Sequence, residues 1–467
     1  MGAVRLALPA LLLLFFVGRS VRQRIFLLGI PFLMYMTNSV FFDKMKIFWV
    51  PGRLSPADHV MLWLVITWVV YFDLVLPAYR RAQPRPQLFG SAPSGPEEAA
   101  LVGLFALVVL EVGLTAVRFG EVSAALGEAK GFIYLFVGYF LLRGMLCRAS
   151  RHDTLAFLKA LVIVNTIAAG LFILHQGLHL QIYQAIEYQV ISFMGQRLTR
   201  SFYFMPQLLA LALAYVFARR TWSVWWVCVL VLTLGALWVS YTRSLLLIAL
   251  AELLVILAVR LLKAHQAGMV IKRAVAIIVV VAILGAAALV VLPVQSQYFL
   301  SRIGMATSSG SLTGDPNLQN REKKLRNVYA WIGTESHVLG QGFVTPGQDP
   351  PAANVQVMAS DLVWVPVLYR LGLLGVLLVV LLFTAAAWRS LRCGLSGGGE
   401  AEFMALVLLG FVVGTFLESF VSWTFLNPVR TPMGLWVFAL VVAEAYRRRR
   451  DALDPTPAEP AVEVADA

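Results

Sequence analysis

Charge is scarce in this chain: Asp, Glu, Lys and Arg together make up 13% of 467 residues against 60% hydrophobic, and the mean hydropathy is +0.79. So little charge cannot cover a water-facing surface, which excludes a soluble globular protein and an extended disordered one. Cysteine is almost missing. Cys147, Cys228 and Cys393 share no metal-ligand spacing, and Cys228 lies inside an apolar run, so neither a disulfide framework nor a cysteine-based metal site follows. His175 and His179 stand four apart with no third ligand placed near them, and read as interfacial residues; no metal and no cofactor is expected. The two halves share no convincing repeat, which argues against the repeat architectures of many transporters.

What the chain has instead is apolar runs, near residues 4–18, 25–41, 58–78, 99–117, 131–146, 154–174, 203–218, 222–241, 244–262, 274–293, 361–388, 402–425 and 431–446. About 20 apolar helical residues cross a hydrocarbon core roughly 30 Å thick. Backbone groups facing lipid must be satisfied within their own segment, so the runs are read as helices. The expected fold is an all-α polytopic membrane protein with 12 or 13 transmembrane helices. The first run could be a signal-peptide core, but it lacks an A-x-A-like cleavage site and leads straight into RSVRQR, so it is kept as a helix. Residues 1–293 then carry ten helices, 294–360 form one long, partly helical loop, 361–446 carry the last helices, and 447–467 are a basic stretch followed by a disordered tail.

Alternate connections differ in basic charge. One set holds clusters: Arg19, Arg22 and Arg24; Arg80, Arg81 and Arg85; Arg143, Arg148 and Arg151; Arg260, Lys263, Lys272 and Arg273; and Arg447 to Arg450. The other set holds scattered residues such as Lys44, Arg118, Lys130 and Arg243. The positive-inside rule puts the richer set and the C-terminus in the cytoplasm. The net charge of +13 therefore reads as topology, and nucleic-acid binding is not expected.

This orientation gathers the unusual features on the opposite side. YTRSLLLIAL places Arg243 between two apolar runs, and QRLTRSFYFMPQ places Arg197 and Arg200 just before a span, three apart and on one face if the segment is helical. The long loop adds Arg321 and Arg326 in REKKLRNVYAWIG. A charge at bilayer depth costs roughly 2.5–3.5 kcal/mol on insertion scales, so such residues are functional candidates; singly, each also fits a snorkelling helix-end anchor. Arginine suits phosphate, because its planar fork donates bidentate hydrogen bonds at any working pH. Several converging at one face point to a pyrophosphate held at the lipid surface. Glu418, at the end of a span, is a further candidate, pairing with one of these arginines. Asp361 in SDLVW is either a helix N-cap or a general base, and His337 is a second candidate base.

The order RLTRSFYFMPQLLA, YTRSLLLIAL, an arginine ten residues before Trp331, then HVLGQG and SDLVWVPVLYRLGLLG resembles the O-antigen ligase and polysaccharide polymerase superfamily over about residues 130 to 390. The resemblance implies a metal-independent, multi-pass glycosyltransferase of the bacterial inner membrane, with a cytoplasmic C-terminus and a periplasmic active site. Its substrate would be a glycan on undecaprenyl diphosphate, its acceptor another glycan or lipid A-core, and its partners a flippase and chain-length regulator proteins as well as membrane lipid. Arg197 or Arg200 and Arg243 match the arginines that hold the diphosphate. Ligases carry a histidine at the position that the spacing from Gly372 and Gly375 assigns to Asp361. That departure favours a polymerase of exopolysaccharide, capsule or O-antigen repeat units; the alternative is an O-antigen ligase, and a transporter is less expected.

Overall fold

The computed structural model describes residues 95–146, 151–177, 180, 190–199, 209–218, 223–263, 267–308, 338–343, 363–396 and 399–420, with helical pieces between 319 and 330. The expected spans at 4–18, 25–41, 58–78 and 431–446 and the tail lie outside the described residues. Ten helices and one hairpin follow in chain order among the described residues: α1 Pro96–Phe119, α2 Val122–Leu146, α3 Arg151–Gly177, β1 Val190–Phe193, β2 Gln196–Thr199, α4 Leu209–Ala218, α5 Val224–Val239, α6 Arg243–Leu262, α7 Ala267–Val291, α8 Pro293–Ser308, α9 Trp364–Ser396 and α10 Gly399–Glu418.

By length and composition α1, α6, α7 and α9 can each cross a membrane. The molecule is a membrane-embedded helical protein. On α7, Ile271, Val275, Ile278, Val279 and Ile283 are exposed among the described residues. In a bilayer such a stripe is a lipid-facing surface, whereas in water it would be an aggregation site. The main core is formed where α9 packs along α1 and α10, and where α10 packs along α6 and α4. On α10, Gly410 and Gly414 form a small-residue stripe. A Cβ at Gly410 would lie 2.7 Å from that of Ala210 and 3.1 Å from Ile256, so these helices approach backbone to backbone.

Ion pairs gather one set of helix ends. Glu98 at the start of α1 meets Arg143 near the end of α2 at 2.7 Å, and Glu97 pairs with Arg389 of α9. Glu402 at the start of α10 takes Arg260 and, at 3.0 Å, Lys263 from the end of α6. Arg273 near the start of α7 donates to the carbonyl of Val216 at 2.6 Å, near the end of α4. These residues lie at one end of an antiparallel bundle. The acids at the first turns of α1 and α10 also face the positive end of each helix dipole.

The other end carries the departures from a purely helical plan. Residues 190–199 form a β-hairpin with register Phe193↔Gln196, and its two-residue turn has positive φ at Met194 (47°) and Gly195 (75°). Positive φ at both central residues is the turn class whose twist suits a hairpin, and Val190, Ile191 and Thr199 supply β-branched strand residues. The helical premise for pairing Arg197 with Arg200 is therefore corrected: Arg197 lies in β2, where positions three apart take opposite faces, and Arg200 lies outside the described residues.

Candidate functional site

The hairpin does not stand alone. Leu198 packs with Tyr241, Tyr298 and Phe299 in a small aromatic cluster; Tyr298 lies with its ring centre 5.3 Å from that of Tyr241 and 5.0 Å from that of Phe193. The neighbour of Arg197 and the residue two before Arg243 are thus held in one cluster, against α8. Tyr241 has φ 54°, a left-handed conformation that a bulky residue rarely adopts, and its buried hydroxyl has no hydrogen-bond partner among the described residues. That strain turns the chain from α5 into α6 within three residues. Thr242 is the N-cap of α6, its backbone N–H donating to Ser240 Oγ at 3.3 Å, and Arg243 is the first helical residue. Arg243 therefore stands where a helix start offers unpaired backbone N–H groups and partial positive charge, an arrangement that attracts phosphate. The side chains of Arg197 and Arg243 lie outside the described residues.

The second gathering point is a break in α9. Gly372 has φ 61° and ψ −163°, outside the reach of other residues, so the helix is interrupted within YRLGLLG. The freed backbone groups are taken by the loop. Gln341 N–H donates to Tyr369 O at 2.8 Å, Gly342 N–H to Arg370 O at 3.1 Å, and Leu374 N–H to Val338 O at 3.1 Å. A broken helix at membrane depth is tolerated when protein satisfies its backbone in this way. The crossing requires glycine on both sides: a Cβ at Gly340 would lie 2.5 Å from Gly372 N, and one at Gly372 would collide with Val338 O. Two of the motifs that carry the family resemblance are thus one backbone crossing.

Polar groups surround this crossing. Phe343 N–H donates to Thr115 Oγ1 at 2.9 Å, and Thr115 in turn donates to Glu111 O at 2.7 Å. Arg370, 4% exposed, pairs with Glu128 of α2 and stands 5.5 Å from the Phe343 ring centre. Glu111 Oε1 is buried with no hydrogen-bond partner among the described residues. Sequence reasoning missed Glu111, Glu128 and Arg370. The lone acid in VVLEVG and the arginine in VLYRLG were visible as charges among apolar residues, and only the crossing shows what they serve.

The remaining candidates separate. Near 321–330 Leu325 packs on the main core, and Arg321, half-buried, lies one helical turn before it on the same face. Arg326 is on the outer face, 78% exposed and paired with Glu322. His337 and Asp361 lie outside the described residues, but their neighbours are anchored: Val338 at the break of α9, and Val363 through its N–H to Ser419 O at 3.2 Å. Val363 O accepts a hydrogen bond from Val367 N–H at the start of α9, and Asp361 precedes Val363 by two in the sequence. Glu418 is buried at the end of α10, close enough to Glu252 of α6 for the two carboxylates to repel.

Because α6 and α10 run antiparallel, with Gly414 opposite Glu252 and Glu402 opposite Arg260, the start of α6, the end of α10 and the start of α9 share one end of the bundle. That end is opposite the ion-paired basic one. Among the described residues no group of three or more His, Cys, Asp and Glu is placed to hold a metal ion. No family model matches the chain, and no curated protein matches it significantly.

Proposed function

We propose that the chain polymerises oligosaccharide repeat units carried on undecaprenyl diphosphate, as a metal-independent glycosyltransferase at the periplasmic face of the bacterial inner membrane. The observation that supports this reading is the meeting of its motifs at one end of the bundle: the RLT strand against the YTRS turn, and the VLGQG loop across the YRLG break. The ion-paired end carries Arg143, Arg260, Lys263, Arg273 and Arg389 and is the cytoplasmic one by the positive-inside rule, so the motif end is periplasmic.

The chemistry follows from what those residues offer. Arg243, with the N–H groups at the start of α6 and Arg197 or Arg200 beside it, holds the diphosphate and stabilises the charge that develops as the anomeric C–O bond breaks. Arg321, on the inward face of its segment, is the loop arginine suited to join them. An acceptor hydroxyl attacks the anomeric carbon, forming the new glycosidic bond, and gives its proton to a base. Asp361 is the first choice and His337 the second. Diphosphate is a good leaving group, so no general acid is required.

The test is a strain lacking the chromosomal copy, complemented with wild type or Arg243→Ala at equal membrane levels. The variant is expected to accumulate lipid-linked repeat units and to lose long polymer. Full polymer from Arg243→Ala would sink the diphosphate clamp. Unchanged lipid-linked glycan on deletion would point to transport of another solute, and repeat units polymerised normally but not transferred to lipid A-core would identify a ligase.

A further inference from the structure

The turn from α5 into α6 is made by a residue ill suited to it. Tyr241 adopts φ 54°, a left-handed backbone open to glycine without steric cost and rarely taken by a bulky side chain. Local hydrogen bonds hold the turn: Ser240 N–H donates to Ala236 O at 3.0 Å, Tyr241 N–H to Trp238 O at 3.4 Å, and Leu245 N–H to Thr242 O at 3.1 Å. Glycine would make the same turn with less strain, so the strain is kept for the sake of the side chain.

That side chain is 0% exposed, and the contacts it makes are those of its ring. Three elements meet around it. The first is the hairpin, whose register puts Phe193 and Leu198 on one face, the face that meets the cluster, while Ser192 on the other face is exposed. The second is α8: Tyr298 stands edge-on to Tyr241 at an interplanar angle of 84°, Phe299 lies 4.5 Å from Trp238 between ring centres, and Trp238 Nε1–H donates to Ser296 Oγ at 3.2 Å. The third is the first turn of α6 itself, whose Leu246 packs on the same cluster. Because α8 opens the long loop, the segment that carries Arg321 and His337 is fastened here as well.

We infer that Tyr241 is a positioning residue for the reaction proposed above: its ring seats the hairpin and α8 against the first turn of α6, and so fixes the backbone at Arg243 relative to the strand that carries Arg197. The inference rests on the polymerase reading for what is positioned; the coupling rests on the packing. A diphosphate gripped from two separate chain segments has one productive spacing between them, and an error of about 1 Å in it can lower the rate about a hundredfold. Enclosed in its cluster, Tyr241 touches no substrate and acts only through its neighbours.

The experiment uses the full chain in lipid bilayers with lipid-linked repeat units, reading kcat and KM per folded molecule and amide hydrogen exchange on the same samples. The conservative variant Tyr241→Phe keeps the ring and should retain the rate. Tyr241→Gly keeps the turn but removes the seat: kcat should fall by about tenfold to a hundredfold with KM little changed, and exchange should rise together at 190–199 and at the start of α6. Leu198→Ala leaves the α5–α6 turn untouched and should do the same, so it carries the test if Tyr241→Gly is not recovered folded. Added to Arg243→Ala, either variant should lower the residual rate little further, whereas a merely structural role would act independently and add. Wild-type kcat in Tyr241→Gly and Leu198→Ala beside a crippled Arg243→Ala would overturn the positioning role and leave the polymerase reading intact. Loss in Tyr241→Phe as large as in Tyr241→Gly would overturn it too, by placing the hydroxyl on substrate. Polymer from Arg243→Ala at the wild-type rate would sink the diphosphate clamp, and this inference with it.

Discussion

At the residue scale the charge type of Arg243 matters less than its shape. Lysine at this position keeps the charge but loses the planar fork, so Arg243→Lys should behave like Arg243→Ala, each lowering polymer by about a hundredfold or more, the usual scale for removing a preorganised donor. Polymer length and lipid-linked glycan, measured at matched membrane levels, check this; rescue by lysine would mean that a point charge suffices. Asp361 invites a comparison of its two readings, helix N-cap and general base, because asparagine caps a helix as well as aspartate does but cannot take a proton. Asp361→Asn is expected to leave membrane level and thermal stability unchanged and to reduce polymer about a hundredfold. Normal polymer in that variant, with loss in His337→Ala, would transfer the base to His337 and favour a ligase.

The element scale is governed by the break in α9. Gly372→Ala forces a side chain against Val338 O at a backbone angle that alanine avoids, so stability in detergent should fall by about 1–3 kcal/mol, and the loop should detach from the bundle. Gly113 in α1 is the control, with nothing near its would-be Cβ, and Gly113→Ala should gain about 0.5–1 kcal/mol. Thermal unfolding of the two variants reads the contrast directly; equal behaviour would mean that the crossing contributes no rigidity. At the opposite end Glu402→Gln leaves Arg260 and Lys263 without their shared carboxylate and should cost about 1–3 kcal/mol, while Glu322→Gln, on an exposed pair, should change stability by less than about 1 kcal/mol. A larger loss at Glu322 would show that the surface pair holds the loop in place.

For the whole molecule the decisive quantity is sidedness. With Cys147, Cys228 and Cys393 replaced, Met194→Cys at the exposed hairpin tip should react with a membrane-impermeant maleimide in intact cells that admit the reagent to the periplasm. Lys272→Cys, exposed near the basic end, should react only after the inner membrane is opened. The reverse pattern would move the motifs to the cytoplasm, where lipid-linked repeat units are not polymerised in the proposed scheme.

The sequence by itself determined the class of this protein, the approximate place of its helices and the residues worth suspecting. Apolar runs are set by the thickness of the bilayer, so the runs at 99–117, 244–262 and 274–293 correspond to α1, α6 and α7, with the largest shift at the start of α7, which begins at Ala267. Arg243 was visible because charge in an apolar run is costly wherever the helix packs. Tertiary structure decided the pairings. The hairpin at 190–199 depends on packing Leu198 beneath Tyr241, a contact between distant segments that helical periodicity cannot express. The break at Gly372 depends on a loop thirty residues earlier in the chain supplying the hydrogen bonds that the helix gives up. Glu418 reads from the sequence as an acid paired with an arginine, and only antiparallel packing of α6 on the glycines of α10 brings it near Glu252. Local sequence fixes where a charge sits along a helix; which charge it faces is set by how the helices cross, because that depends on contacts summed over the whole bundle.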